Sequence, residues 1–182
     1  MSNTQQQEEL HKTIWAMADD LRGAIGGWEF KAYVLGTLFY RFISENLTEY
    51  INRIQEDAGV EGFDYAEMPD SEAEQARDMM VQEKGFFILP SQLFCNVCRN
   101  CEQDVDLNMT LSEVFKAIEG SAVGTPSEDD LKGLFNDFNV NSNQLGADVK
   151  TRNKLIAKVL KRIESMDLGE SFGDNKGMPT SS

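Results

Sequence analysis

Apolar residues recur along most of this chain with the period of a helix face. Over residues 10–25 they follow the 3.6-residue period, and Gly26 and Gly27 end the predicted helix. A longer helix is predicted over residues 28–58, with Gly59 as a natural stop. Its apolar stripe is wide in the first half, so we expect that half to be buried on much of its surface.

Shorter elements follow this long helix. Residues 85–90 read GFFILP, and a short apolar run between Gly and Pro predicts an extended segment or a short strand. A helix carrying the cysteines is predicted from about Ser91. A Thr-Leu-Ser-Glu capping box predicts a helix start at Thr110, a Thr-Pro-Ser-Glu sequence predicts another at Thr125, and a strong amphipathic helix is predicted over residues 148–166. The fold class is therefore mostly α, a multi-helix bundle-like domain with at most a short strand near residues 85–90.

The two ends of the chain differ in composition from its centre. Residues 1–9 are polar and rich in Gln and Glu, which predicts a disordered tail, and residues 167–182 are rich in Gly, Ser and Asp, which predicts a linker. Between them, residues 10–166 form one predicted helical domain. The start lacks the basic and apolar regions of a signal peptide, and the longest apolar stretch is too short to span a membrane. We therefore expect a cytoplasmic protein with no membrane partner.

The formal net charge of −14 limits the kinds of partner that the chain can bind. A protein this acidic does not bind nucleic acid non-specifically, so any nucleic-acid role must come from a local basic patch. Half of the net charge lies in residues 61–83, which contain eight acidic residues and one basic residue, Arg77. We expect this segment to be a solvated loop with a short helix near residues 71–81. Mimicry of a nucleic-acid backbone is the sharper interpretation, and nothing else in the segment supports it.

One basic cluster stands out against this acidic background. Residues 150–162 hold six basic side chains and no acidic one, and on a helix four of the lysines, spaced by four, four and three, form one stripe. The simpler interpretation is a solvated lysine face on an amphipathic surface helix. The sharper hypothesis is a stripe that contacts DNA phosphates and positions a duplex without reading bases. Its candidate residues are Lys150, Arg152, Lys154, Lys158, Lys161 and Arg162.

Residues that usually carry catalysis or bind metals are few. No Gly-rich phosphate loop is present, and His11 is the only imidazole, so a nucleophile would lack a positioned base. Cys95, Cys98 and Cys101 lie at a regular three-residue spacing. A zinc site needs four ligands, and an iron–sulfur site of this spacing needs a fourth cysteine. We therefore expect the cysteines to be packing residues, with no metal, no cofactor and no catalytic residue in this segment.

Several sequence stretches occur together in a recognisable order. An opening helix with Trp15 and the element Leu21-Arg22-Gly23 is followed by a long apolar helix centred on residues 34–44. Next come GFFILP, LKGLFNDFNV, LGADVKTRNKLIAKVLKRI and MDLGESFGD, so the pattern covers residues 8–174. In this ordered combination the chain resembles the modification, or methyltransferase, subunit of type I restriction–modification systems.

The resemblance is confined to the N-terminal helical domain of that subunit. In the family, a catalytic domain follows, binds S-adenosylmethionine and methylates adenine N6 in DNA with an Asn/Asp-Pro-Pro-Phe/Tyr motif. None of the four prolines of this chain lies in such a motif. The resemblance therefore implies a non-catalytic segment whose linker, residues 167–182, leads toward an absent S-adenosylmethionine-dependent methyltransferase domain.

The resemblance also implies a set of partners. They are DNA, one specificity subunit that reads the target sequence, a second modification subunit and restriction subunits, with this domain clamping the duplex and contacting the other subunits. The basic stripe would then face DNA phosphates or, alternatively, an acidic surface of a partner. A different class of function also stays open, in which the chain is a free-standing helical protein–protein interaction module without enzymatic activity.

Overall fold

The structure is a computed structural model that describes residues 27–136 and 138–166. Within these residues it holds α-helices and short 3-10 turns and no strand, which confirms the mostly α fold class. None of the described helices is long and apolar enough to cross a membrane. The predicted tail at residues 1–9, helix at residues 10–25 and linker at residues 167–182 lie outside the described residues. The α-helices in chain order are α1 (Gly27–Asp57), α2 (Asp70–Ala73), α3 (Arg77–Lys84), α4 (Phe94–Asn100), α5 (Leu107–Ser121), α6 (Glu128–Asn136) and α7 (Val149–Glu164).

The long helix α1 runs through the centre of the helical packing. It has 31 residues, and its bounds lie within one residue of the predicted ones. Gly59 follows with a φ of +92°, a left-handed conformation that glycine adopts at low cost, so the predicted stop is confirmed. The helices α4, α6 and α7 all pack against α1. Its core-facing residues include Tyr33, Val34, Tyr40, Ile43, Leu47 and Ile51.

A cluster of aromatic rings joins α1 to the helices around it. Tyr40 is fully buried and meets Phe94 and Phe115 edge-to-face at centroid distances of 5.5 and 5.4 Å. Phe115 in turn stacks on Phe135 at 4.2 Å. Aromatic pairs of this kind contribute about 0.5–1.5 kcal/mol each beyond the burial of their area. The cluster therefore fixes α4, α5 and α6 against α1.

The GFFILP segment is extended but forms no strand within the described residues. Phe87 and Ile88 are buried, and their backbone groups bond to side chains from elsewhere in the chain. The Phe87 N–H donates to Ser121 Oγ at 2.9 Å, and the Ile88 carbonyl accepts from the Tyr65 hydroxyl at 2.7 Å. Because side chains satisfy these buried groups, the segment needs no neighbouring strand. The extended conformation is confirmed, and the predicted short strand is not formed.

The acidic segment at residues 61–83 is anchored to the core rather than solvated throughout. The short helix predicted inside it is observed as α2 and α3 with a 3-10 turn between them. Tyr65, Ala73 and Met80 are fully buried, although most of the acidic side chains around them are exposed. The prediction of a solvated loop is therefore wrong in this respect, because these three side chains give the segment an apolar underside that covers the core.

Of the four helix starts predicted in the second half, the one at Thr110 is wrong, and those near Ser91 and at Thr125 lie three residues before the observed starts. The helix α4 begins three residues after Ser91, because a 3-10 turn at Pro90–Gln92 comes first. The helix α5 begins three residues before Thr110, whose hydroxyl donates to Asp104 Oδ2 at 2.7 Å. Thr110 is therefore an interior helix residue, and the apparent capping box caps nothing. The signal at Thr125 is confirmed within three residues, since its Oγ1 accepts a backbone N–H two residues further on at 3.2 Å.

The cysteine helix α4 packs against α7, and it does not bring the three thiols together in one site. Cys98 and Cys101 are buried, whereas Cys95 is exposed. The Cys98 thiol donates to the Leu160 carbonyl oxygen at 3.8 Å. Desolvation raises the pKa of all three thiols, which keeps them protonated at neutral pH and makes them poor nucleophiles. Among the described residues no group of three His, Cys, Asp or Glu side chains is placed to hold a metal ion, and His11 lies outside them.

Gly36 in α1 stands where a larger side chain does not fit. A Cβ atom there would lie 2.6 Å from Phe138 Cδ2, whereas one on the exposed Gly133 of α6 would meet nothing within 4 Å. We expect Gly36→Ala to lower the free energy of unfolding by about 1–3 kcal/mol, because the Phe138 ring must move. Gly133→Ala should raise it by about 0.5–1 kcal/mol through helix propensity. Urea unfolding of both variants tests the pair, and equal stabilities would contradict the close approach of α1 to Phe138.

Burial also predicts how the thiols react. At pH 8 a disulfide reagent such as DTNB should modify only Cys95 quickly in the folded protein, and all three cysteines in denaturant. Because the pKa of Cys95 is raised, even Cys95 should react more slowly than free cysteine at pH 8. Its reaction should become faster as the pH rises toward 9, because more of the thiol is then ionised. Cys95→Ser is the control and should abolish the fast phase. Three fast thiols, or stoichiometric zinc or iron in the purified protein, would show that the helix is not simply a packing element.

Candidate nucleic-acid interface

The basic cluster is exposed because the opposite face of α7 is buried. Ile156, Leu160 and Ile163 on that face are buried, and α7 packs against α1 and α5. At the helix start, Asp148 Oδ1 accepts the Thr151 N–H at 2.7 Å, and this hydrogen bond holds the pKa of the Asp148 carboxyl below its usual range. A carboxylate in this position satisfies a free N–H group and complements the helix dipole. The predicted helix is confirmed within two residues at each end.

Half of the six candidate residues form one row on this helix. Lys150, Lys154 and Lys158 are all exposed. They are spaced four residues apart, so they follow one another along the helix axis at intervals of about 6 Å. Within the described residues none of the three belongs to an ion pair, and their charges remain available to a partner.

The other three candidates have different surroundings. Arg152 is half-buried, and its Nη1 donates to the Gly146 carbonyl at 3.0 Å, so it braces the turn that leads into α7. Lys161 is partly buried and forms an ion pair with Glu164 at 3.4 Å. Arg162 is exposed and continues the four-residue spacing after Lys158, but unlike the three lysines it does not line the groove described below. The row of three lysines is therefore a better-defined surface than the six-residue cluster that the sequence indicates.

A groove of about 760 Å³ lies beside these lysines. It runs between α7 and the turn that follows α4, and that turn places Glu102 and Asp104 on the side facing the lysine row. The groove thus combines a row of cations, two carboxylates and apolar surface. Its remaining lining residues are Cys101, Val105, Val149, Asn153 and Ala157.

Asn153 ties the two sides of the groove together, a role that no sequence motif indicates. Its Oδ1 accepts the Asn108 N–H at 3.0 Å, and its Nδ2 donates to the Val105 carbonyl at 3.0 Å. Buried amides that are fully hydrogen-bonded fix neighbouring elements in one arrangement. The sequence hints at the burial of Asn153 only through its spacing. It precedes the buried Ile156 and Leu160 by three and seven residues, so it lies on the same face of α7.

Comparisons with known proteins give this surface a family context. A model of the HsdM N-terminal domain matches residues 10–163. The type I restriction enzyme MpnII methylase subunit of Mycoplasma pneumoniae is 43% identical over 185 residues, which cover 94% of this chain and 34% of that protein. The crystal structure of the type I restriction-modification system methyltransferase subunit from Streptococcus thermophilus matches with a TM-score of 0.70 and 23% identity, over 89% of this chain and 34% of that one.

The three comparisons agree on one family. The structural match, at its low identity, shows a shared fold, while the family model covers α1, the groove and all of α7 except its last residue. The chain spans about a third of the length of the relatives that it matches. The resemblance that the ordered motifs indicate is therefore confirmed, and the chain belongs to the HsdM N-terminal domain family of type I restriction–modification methylase subunits.

Proposed function

We propose that this chain is the DNA-clamping and subunit-interaction domain of a type I restriction–modification methyltransferase subunit. The full-length protein transfers a methyl group from S-adenosylmethionine to adenine N6 in DNA, and residues 1–182 are themselves non-catalytic. The cofactor and the reacting base bind in the part of the subunit that follows. In support, the family model of the N-terminal domain spans residues 10–163. The protein works in the cytoplasm, where its DNA substrate lies.

The observation that supports the DNA contact is the row formed by Lys150, Lys154 and Lys158. These three exposed cations stand side by side on a protein whose net charge is −14, and no acidic residue interrupts them in the sequence. Lysine acts on phosphate as a point charge, so the row would hold a duplex in position without reading its sequence. Sequence recognition then belongs to the specificity subunit, with a second modification subunit and restriction subunits as the other protein partners.

Charge reversal of the row tests the DNA contact. In the full-length subunit assembled with its specificity subunit, Lys154→Glu/Lys158→Glu should weaken DNA binding, because two phosphates lose their cations. Each lost contact reduces the slope of log K against log salt by about 0.9, so the slope should flatten by roughly 2 for each modification subunit in the complex. Affinity titrations from 50 to 200 mM salt measure both effects.

The matched control makes the same change of charge at two lysines outside the groove. Lys116→Glu/Lys132→Glu reverses two exposed lysines on α5 and α6, outside the groove, and should leave the salt slope close to that of the wild type. Equal affinities for the wild type and the Lys154/Lys158 variant at every salt concentration would reject the phosphate contact. Loss of subunit assembly with unchanged DNA affinity would assign the row to an acidic partner surface instead.

The methyltransferase assignment has a separate test. The gene beyond Ser182 should encode an S-adenosylmethionine-binding loop and an Asn/Asp-Pro-Pro-Phe/Tyr motif. The full-length subunit with its specificity subunit should then transfer tritium from labelled S-adenosylmethionine to adenine N6, while residues 1–182 alone should transfer none. A stop codon directly after Ser182 would favour a free-standing interaction module.

A further inference from the structure

The groove beside α7 has features that a DNA duplex does not match. Duplex DNA presents negative charge along its whole surface. A duplex pressed into the groove would meet the lysine row on one side but the carboxylates of Glu102 and Asp104 on the other. It would also leave the apolar lining, including Val105 and Val149, without an apolar partner. Phosphate contact accounts for the lysine row, and the rest of the groove needs a different occupant.

The apolar lining is unusually exposed for a folded domain. The side chain of Val105 is 80% exposed and that of Val149 is 43% exposed, and they belong to opposite sides of the groove. Apolar side chains that line a concave surface, with charged groups around them, are typical of protein interaction sites.

The groove is also held open in a fixed shape. The hydrogen bonds of Asn153 join α7 to the backbone at Val105 and Asn108. On the acidic side, Asp104 Oδ1 accepts the Asp106 N–H at 2.9 Å while Oδ2 accepts the Thr110 hydroxyl at 2.7 Å. A preformed site loses little conformational entropy when it is filled, which favours binding.

We propose that the groove docks one amphipathic helix of another subunit of the complex. The helix would place an apolar stripe between Val105 and Val149. A lysine or arginine on the edge of the helix that lies away from the lysine row would face Glu102. The inference rests on the subunit-interaction part of the proposed function and concerns the apolar lining and Glu102, not the phosphate contact.

The decisive variant adds a positive charge to the apolar lining. Val105→Lys puts an ammonium group where the docked helix needs an apolar contact, and the exposure of Val105 keeps the substitution out of the core. Sedimentation velocity on the complex of full-length modification, specificity and restriction subunits should show at least one assembly step weakened tenfold or more. Its matched control is Val123→Lys, which adds the same charge at a valine 64% exposed outside the groove and should leave every step unchanged.

DNA affinity separates this inference from the proposed phosphate contact. Val105→Lys adds a cation next to the lysine row, so a complex that still assembles should bind DNA as well as the wild type or more tightly. Glu102→Lys, a second variant, should weaken the same assembly step because it repels the basic edge of the helix. Unchanged assembly in both variants would overturn the docking proposal, and if Lys154→Glu/Lys158→Glu still lost DNA affinity the phosphate contact would stand. Weakened assembly together with no DNA effect of the lysine reversal would support the docked helix and reject the phosphate contact.

Discussion

The apolar face that α1 buries determines where the other helices lie. Tyr40 at its centre is fully buried, and its ring meets Phe94 of α4 and Phe115 of α5. Desolvation raises the pKa of the Tyr40 hydroxyl, which stays protonated and donates to the Gln92 carbonyl. A buried hydroxyl without such an acceptor would be costly, so this bond also fixes the turn that precedes α4. Three elements are thus positioned through a single side chain of α1.

The same helix fixes the orientation of α7, and with it the direction in which the lysine row points. Arg41 of α1 donates from Nη1 to the carbonyls of Ile163 and Met166 at 2.6 and 2.9 Å, and its Nε bonds to Glu45 at 2.8 Å. The Ile163 carbonyl lies in the last turn of α7 and the Met166 carbonyl lies just beyond it, so the guanidinium adds charge-assisted hydrogen bonds at this end of the helix. With its apolar face packed on α1 and its last turn held by Arg41, α7 cannot rotate its lysines toward the core.

Helices whose apolar faces follow the helical period were the predictable part of this fold. The bounds of α1 and α7 agree with the sequence to within two residues, because each helix buries one continuous apolar face. Thr110 gave a false start signal, since a Thr followed by Glu three residues later also occurs inside a helix whose first turn buries Leu107. The groove was not predictable, because it depends on the turn at residues 101–105 lying beside α7, a contact between distant parts of the chain.

The charge distribution limits how the DNA contact that we propose could form. Of the 17 basic side chains, six lie in residues 150–162, which leaves 11 against 31 acidic ones, so a duplex at long range meets a repulsive field. At physiological ionic strength the Debye length is about 8 Å, which screens the distant acids while direct lysine–phosphate contacts persist. A short-range contact through three lysines is weak alone, so the clamp that we propose would draw its remaining contacts from other subunits. A docked helix beside the row would bring such a subunit to within one helix diameter of the duplex, where both can act on the same DNA.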